Sequence, residues 1–463
     1  MSQAEYVQIA ISSSAKPSQV LRSFRDDAHH FALFGQWLGT EAIIGSEPHH
    51  VHSGQHGTIS QAGAFDLLNE LPDNLGVPPT SLETTDSVPA IFGGWVGYIA
   101  YPGSVDEKSS HESRSAANQG KVAPWWFGWY DHLLSYNTTT GWHFEAIRTA
   151  ERAAFIDERL SEFTRRLNAA DTRSKAWQLS GFQAVPTPAE HQKNVEVALG
   201  HIDAHELDHL NLTMQFQATL TGSLHDAFAA AVDTLAPPYA AFLTPNAHHN
   251  IASLSPELFL SRNGNFVSTR PIKGTRPRIG DPVADVASAE ELLASTKERD
   301  ENRLVVDLAI EELSTICEPG TVEVTKLYDL EPHPGVWHLV SEITGRLPEK
   351  IGNGQLLKNC FPAASITGSP KDAALELIET LEAAPRGVYT GTIGMASVQG
   401  NSDWNVAIRT FEAHSDQISL GVGGGLTAAS DPAAETIECR LKAEPLIRAI
   451  GGQLATQAWP QAD

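Results

Sequence analysis

The chain has 463 residues, 41% hydrophobic and 19% charged, with 32 Lys and Arg against 56 Asp and Glu, a formal net charge of −24. That length and balance describe a globular protein with a sizeable core, not a disordered chain. The acidic excess excludes nucleic acid as a main partner and an anionic membrane surface, which both need a basic footprint; a small anion remains admissible wherever cations or amides gather locally.

At the N-terminus, MSQAEYVQIAISSS lacks a basic region followed by an apolar run, so no secretory leader is expected there. Cys317, Cys360 and Cys439 are odd in number and have no CxxC spacing. A reducing, cytoplasmic compartment without a disulfide framework is the expectation. Short β-rich runs follow (FALFGQWL, AIIGSEP, AIFGGWVGYIAY). The last is apolar from Val88 to Tyr101, but Pro89, Gly93, Gly94 and Gly97 interrupt it, and it is too short to span a bilayer. The histidines of HHVHSGQH (49–56) read as a polar loop, and GSVDEKSSHESRSAANQG (103–120) as an exposed one. WWFGWYDHLLSYN reads as strand and 150–169 as helix. Residues 171–188 are the best candidate linker between a variable N-terminal region (1–170) and a catalytic region (189–452), with a tail over 453–463.

Beyond the linker, 191–206 reads as helix, LNLTMQFQATL as strand, and SLSPELFLSRNGNFVSTRPI as two strands around an Asn-Gly turn. A helical stripe of Leu292, Leu293, Leu304, Val305, Leu308 and Leu313 runs between Pro282 and Pro319. A helix is expected over 371–381, strands at YTGTIGMASV, WNVAIRTFEA and QISLGVGGGL, and a last helix from Asp431–Pro432. Many strands with few long helices predict an α+β fold, a large two-layer antiparallel sheet core flanked by helices.

Several clusters could carry chemistry. Glu298 and Glu301 are three apart on one helix, as are Glu435 and Glu438 on another. Each pair shares a face where like charges repel unless a cation relieves them, and four carboxylates suit Mg²⁺. On spacing alone they also read as solvated faces, and Lys442 as the intrahelical partner of Glu438. Lys273, in RPIKGTRPR beside Arg270, Arg276 and Arg278, reads as a nucleophile whose proton neighbouring cations could displace, or as a surface loop residue. The amides of Gly274 and Thr275 could hold a carboxylate. The GVGGG run (421–425) reads as an anion-approaching backbone or a tight turn, and lacks both P-loop and dinucleotide signatures.

Taken in order, SLSPELFL, STRPIKGTRPR, KERDENRLVVDL, WHLVSEITGRL, FPAASITGSPK, RGVYTGTIG, NVAIRT, GVGGGL and SDPAAETIECRLK resemble the chorismate-utilising enzymes, over roughly residues 190–450. The resemblance implies that Glu298, Glu301, Glu435 and Glu438 hold Mg²⁺, which holds the ring carboxylate of chorismate together with Gly274 and Thr275. It implies that Tyr389, Arg409, the Gly423, Gly424 and Gly425 amides and Lys442 bind the enolpyruvyl carboxylate. Glu257 would be the general acid for loss of the C4 hydroxyl, and His338 would lie near the pyruvyl side. Within the family, lysine in PIKGT resembles the aminodeoxychorismate synthase branch, where it is the nucleophile that adds to C2; anthranilate, isochorismate and salicylate formers usually carry alanine. Ammonia would come from a separate glutamine amidotransferase subunit, since no cysteine here sits in a Gly-x-Cys-x-Gly elbow. The chain departs from the family pattern at Ile310, Glu311 and Glu312 (for Arg-Asn-Asp), Ala363 and Ala364 (for Gly-Gly), Cys439 (for Thr) and His209 (for Gln or Lys).

Overall fold

The computed structural model describes residues 4–54, 61–70, 90–102, 123–169 and 175–461; the polar stretch 103–120 lies outside them. Two antiparallel sheets dominate. The first, of 13 strands, runs Glu5–Ile11, Gly141–Arg148, His132–Asn137, Thr40–Gly45, Phe31–Trp37, Tyr239–Asn246, His249–Ser255, Thr410–His414, Gln417–Leu426, His209–Gly222 and Gln183–Val185, with two short strands off this path. The second, of 10 strands, runs Ile272–Pro277, Val336–Arg346, Phe266–Arg270, Leu258–Asn263, Ser402–Val406, Thr392–Ser397, Gly94–Ile99, Trp125–Tyr130 and His50–Ser53, with Glu323–His333 also on Val336–Arg346.

Side chains alternate across each strand, and both faces of the first sheet are covered. Phe31, Leu33, Tyr239 and Leu243 pack between the sheets with Val96, Tyr98, Ile393 and Met395 of the second. Their neighbours Ala32, Phe34, Ala240 and Phe242 face an outer layer containing Phe163, Phe228, Ala443 and Leu446. A strand buried on both faces reads as an unbroken apolar run, which is why FALFG shows no period of two. The fold is therefore α+β, two large antiparallel layers flanked by helices, as the sequence predicts. Strands from before and after residue 170 are hydrogen-bonded neighbours in both layers: Phe31–Trp37 with Tyr239–Asn246, and Gly94–Ile99 with Thr392–Ser397.

Four local expectations change. The helical pattern after Pro282 is two helices, Pro282–Ala294 and Thr296–Ser314, because Ser295 leaves the helical region and its hydroxyl accepts the Glu298 N–H; Leu293 of the expected stripe is exposed. The GVGGG run is the end of the Gln417–Leu426 strand, not a turn. His50–Ser53 is an edge strand paired with Trp125–Tyr130, not a loop. Within 171–188, the short strands Trp177–Leu179 and Gln183–Val185 pair with His209–Gly222. The three cysteines are free and buried, and among the described residues no helix is long and apolar enough to cross a membrane.

Candidate active site

The candidate site lies where strands of both sheets meet the N-terminal turns of two helices. Asp431 caps the Pro432–Ala449 helix by accepting the Ala434 N–H, with Pro432 in the first turn, so Glu435 sits in its first turn. Ser295 places Glu298 likewise at the start of Thr296–Ser314. Buried Asn302 pins this second helix to the Val336–Arg346 strand: its amide donates to the Leu339 carbonyl (3.2 Å) and its oxygen accepts the Ser341 hydroxyl (2.6 Å).

The four glutamates face a common cation, Lys297, which spacing did not single out. Its Nζ is 3.8 Å from Glu301 and 3.7 Å from Glu435. Burial works against its charge, but Glu435, Glu301, Glu438 and Glu298 together hold its pKa above the ordinary lysine value. Burial raises the carboxyls of Glu301 and Glu435, whereas Glu438 is held low chiefly by Lys442, 2.8 Å away. Lys442 also donates to the Gly423 carbonyl (2.8 Å). Among the described residues no three of these carboxylates converge within 4.8 Å. They form an open anionic cradle of the kind that suits Mg²⁺, which keeps several waters and takes few protein ligands. The cradle also excludes side chains: a Cβ on Gly424 would stand 2.9 Å from Glu435 Oε2, and one on Gly274, whose φ is +88°, 3.0 Å from Glu298 Oε2. These residues fit a hard divalent ion.

Lys273 projects from the Ile272–Pro277 strand and donates to the Ser365 carbonyl (3.1 Å); a Cβ on Gly425 would lie 3.3 Å from its Nζ. The Ser365 hydroxyl donates to Glu257 Oε1 (3.0 Å), so one serine ties the amine to the carboxyl. Glu257 is almost wholly buried, and desolvation raises its pKa to about 7 against the opposing pull of Lys273, Ser365, the Ile272 amide and Arg409. The expectation that arginines crowd Lys273 is corrected. Arg270 pairs with Glu331, Arg276 with Glu291 and Glu298, and Arg278 with Asp285. The charges felt around the amine are instead the carboxylates of Glu257, Glu301 and Glu438.

Arg409 has a φ of +52°, a region that non-glycine residues occupy at a cost and that recurs at functional sites. Its guanidinium NH2 lies 3.4 Å from His338 Nε2. Burial, then Arg409 and His333, lowers the His338 pKa to about 2, so the imidazole is neutral and its Nε2 accepts. The Arg409 pKa is lowered by burial to about 10. Thr275 pairs directly with His338 across the strands. Tyr389 is buried, its phenol pKa raised by desolvation, with its ring against the Cα of Gly421. The expected residues thus come from strands (Lys273, Gly274, Thr275, His338, Gly423–Gly425), from two helices (Glu298, Glu301, Glu435, Glu438, Lys442) and from the segments between strands that carry Glu257, Tyr389 and Arg409. Sequence reading missed Lys297 and Ser365; a lysine four residues before Glu301 was a visible i,i+4 signal, whereas Ser365 comes close only through the tertiary fold.

Among the departures, Glu312 pairs with Lys371 (2.7 Å), tying the Thr296–Ser314 helix to the start of the Lys371–Leu381 helix. Cys439 packs in the outer core. Buried His209 opens the His209–Gly222 strand opposite Ser369.

Residues 26–448 match the family described as chorismate binding enzyme. Aminodeoxychorismate synthase component 1 of Salmonella typhimurium is 38% identical over 267 residues, 58% of this chain and 58% of that protein; the matched region thus spans under three fifths of that relative's length. An anthranilate synthase component I-like protein of Synechocystis is 32% identical over 90% of this chain and 84% of its own. The menaquinone-specific isochorismate synthase of Escherichia coli shares the fold, with a TM-score of 0.74 at 19% identity, covering 96% of this chain and 94% of that one. With a match that runs through nearly all of both sheets and both glutamate-bearing helices, the chain belongs to the chorismate binding enzyme family.

Proposed function

We propose that this protein acts as the chorismate-aminating component of an aminodeoxychorismate synthase, converting chorismate and ammonia to 4-amino-4-deoxychorismate and water. The observation that carries the reading is the Lys273–Ser365–Glu257 linkage, an amine and a buried carboxyl held on one serine. Lys273, once its ammonium has passed a proton to solvent, adds through the free amine to C2 of the ring, the double bonds shift, and the C4–O bond breaks. Glu257 gives the departing hydroxyl its proton, and water leaves. Ammonia then adds at C4, the double bonds shift back, the C2–N bond breaks to free Lys273, and the surplus proton returns to Glu257. A carboxyl with a pKa near 7 is matched to both transfers.

Glu298, Glu301, Glu435 and Glu438 would hold Mg²⁺, which supplies positive charge for the ring carboxylate; the Gly274 and Thr275 amides share that carboxylate. Tyr389, Arg409, Lys442 and the Gly423–Gly425 amides take the enolpyruvyl carboxylate. Neutral His338 accepts from Arg409 and aims it. A dianionic substrate thereby enters an acidic protein between an ion at one end and fixed cations at the other. The ammonia comes from a separate glutamine amidotransferase subunit, and free ammonium at alkaline pH replaces it.

The test is incubation with chorismate, Mg²⁺ and ammonium, with products identified by mass. The expected product retains the enolpyruvyl group and disappears in Lys273→Ala. Fluorescent anthranilate with released pyruvate, or turnover unaffected by Lys273→Ala, overturns the reading.

A further inference from the structure

Away from the glutamate cradle, one more group of ligating side chains converges. His249 and His414 are direct cross-strand partners in the His249–Ser255 and Thr410–His414 pair. Glu412 lies two residues before His414 and so shares its face of the sheet. The register alone therefore delivers two imidazoles and a carboxylate to one spot. His249 Nε2 lies 2.9 Å and His414 Nε2 3.1 Å from the same oxygen, Glu412 Oε1. One ligand atom from each residue falls within a mutual 4.8 Å. The two rings stack, with centroids 4.0 Å apart and planes at 19°.

We propose that His249, Glu412 and His414 form a second metal site, for a borderline divalent ion of the zinc class rather than for Mg²⁺. Three features support it. First, the donor set is two imidazole nitrogens and one carboxylate, which favours zinc, copper or nickel ions, whereas the glutamate cradle offers oxygen alone. Second, the spacing is close to what such an ion needs. Ligand atoms about 2.0–2.1 Å from a tetrahedral centre stand about 3.3 Å apart, so the observed 2.9 and 3.1 Å call for openings of a few tenths of an ångström. Third, the carboxylate is oriented from behind, as ligating carboxylates are: Glu412 Oε2 accepts the Val388 N–H (3.0 Å). The adjoining Gly387, at φ +66°, leaves room there, since a Cβ would stand 2.6 Å from Oε2.

The site is neither sealed nor open. His249 and Glu412 are buried, while the His414 side chain retains 20% exposure, so solvent meets the cluster on the His414 side. Binding requires both imidazoles neutral, each with its proton on Nδ1 and its Nε2 lone pair on the ion. Because Val388 precedes Tyr389, an ion on Glu412 would brace the segment from Gly387 to Tyr389 against the first sheet.

Cobalt(II) is the probe, titrated into the full chain in excess Mg²⁺ so that hard oxygen sites are occupied. The expected result is one equivalent of Co²⁺ giving the visible absorption of a low-coordinate nitrogen–oxygen site. Its affinity should fall at least about tenfold in His414→Ala and stay unchanged in Glu435→Gln. His414→Gln, which keeps a polar partner for Glu412 but no imidazole, should lose affinity equally and serves if the alanine variant is unstable. No absorption with the wild-type chain, an unchanged band in both His414 variants, or a band lost only in Glu435→Gln overturns the proposal.

Discussion

Glu257 owes its chemistry to a contest that burial wins. The Lys273 ammonium, the Ser365 hydroxyl, the Ile272 amide and Arg409 all favour the carboxylate, yet desolvation lifts the pKa from 4.5 to about 7. In the unfolded chain the proton leaves near 4.5; in the folded one it stays until about 7. The folded state therefore binds the extra proton, and the stability this confers at low pH is lost as pH rises through 7. Glu257→Gln does not titrate. Relative to wild type it should gain on the order of 3 kcal/mol between pH 4 and pH 8, read from denaturant unfolding at the two pH values. Its turnover should fall by a factor of about 10²–10⁴, and the decline above pH 7 expected of wild type should vanish. Parallel pH–stability curves for the two proteins would remove the basis for assigning the acid. Lys297 is the other decisive single residue. Its ammonium stands among four carboxylates, so a divalent ion entering there competes with a tethered cation. Lys297→Met should lower the metal-free melting temperature and raise Mg²⁺ affinity about tenfold, the effect of one nearby charge in a partly screened site. Calorimetric Mg²⁺ titration decides it, and weaker binding by the variant would give Lys297 a different role.

Elements show where the sequence was legible and where it was not. The capped start of the last helix was readable because Asp-Pro is a local signal, and local chemistry made the structure there. Ser295 carried an equally local signal, Ser-x-x-Glu before an apolar stripe, but the continuous stripe from Leu292 onward masked it. The strand at QISLGVGGGL was legible even though glycine weakens strands; the need for glycine at 424, where Glu435 of the neighbouring helix comes close, was not, because it arises only in the tertiary fold. The partners of Arg270 include Glu331, 61 residues away, and the more distant Glu342, so the neutralisation of these arginines beside Lys273 could not be read from RPIKGTRPR. Gly424→Ala tests the strand–helix contact directly. The added methyl meets the far end of a flexible side chain, not backbone, so Glu435 shifts and the fold persists. Stability should change by less than about 1 kcal/mol, while the rise in melting temperature on adding Mg²⁺ should largely disappear. An unaltered Mg²⁺ response would mean that Glu435 has no part in the cradle.

The whole molecule is built from strands that alternate between the two parts of the chain, so the part after residue 174 does not complete either sheet on its own. Removing residues 1–174 would strip the first sheet of Glu5–Ile11, Phe31–Trp37, Thr40–Gly45, His132–Asn137 and Gly141–Arg148, and the second of His50–Ser53, Gly94–Ile99 and Trp125–Tyr130. Two long apolar edges would then be bared, Tyr239–Asn246 in one sheet and Thr392–Ser397 in the other, each a template for intermolecular pairing. The space between the sheets would lose Phe31, Leu33, Trp37, Ile43, Val96, Tyr98, Trp126 and Tyr130 from its filling. Glu257, Glu298, Glu301, Glu435, Glu438, Lys273 and Arg409 would still be present in such a fragment, so the sequence motifs alone predict an active core. The architecture predicts the opposite: residues 175–463 expressed alone should aggregate or lack a cooperative thermal transition. Co-expression with 1–174 should restore a soluble, cooperatively melting complex, because the missing partners are strands and not covalent continuity. Size-exclusion chromatography with thermal unfolding reads both results. A monomeric 175–463 fragment with a sharp transition would show that the second part of the chain closes its own sheets, and that the N-terminal strands are an addition to a finished fold.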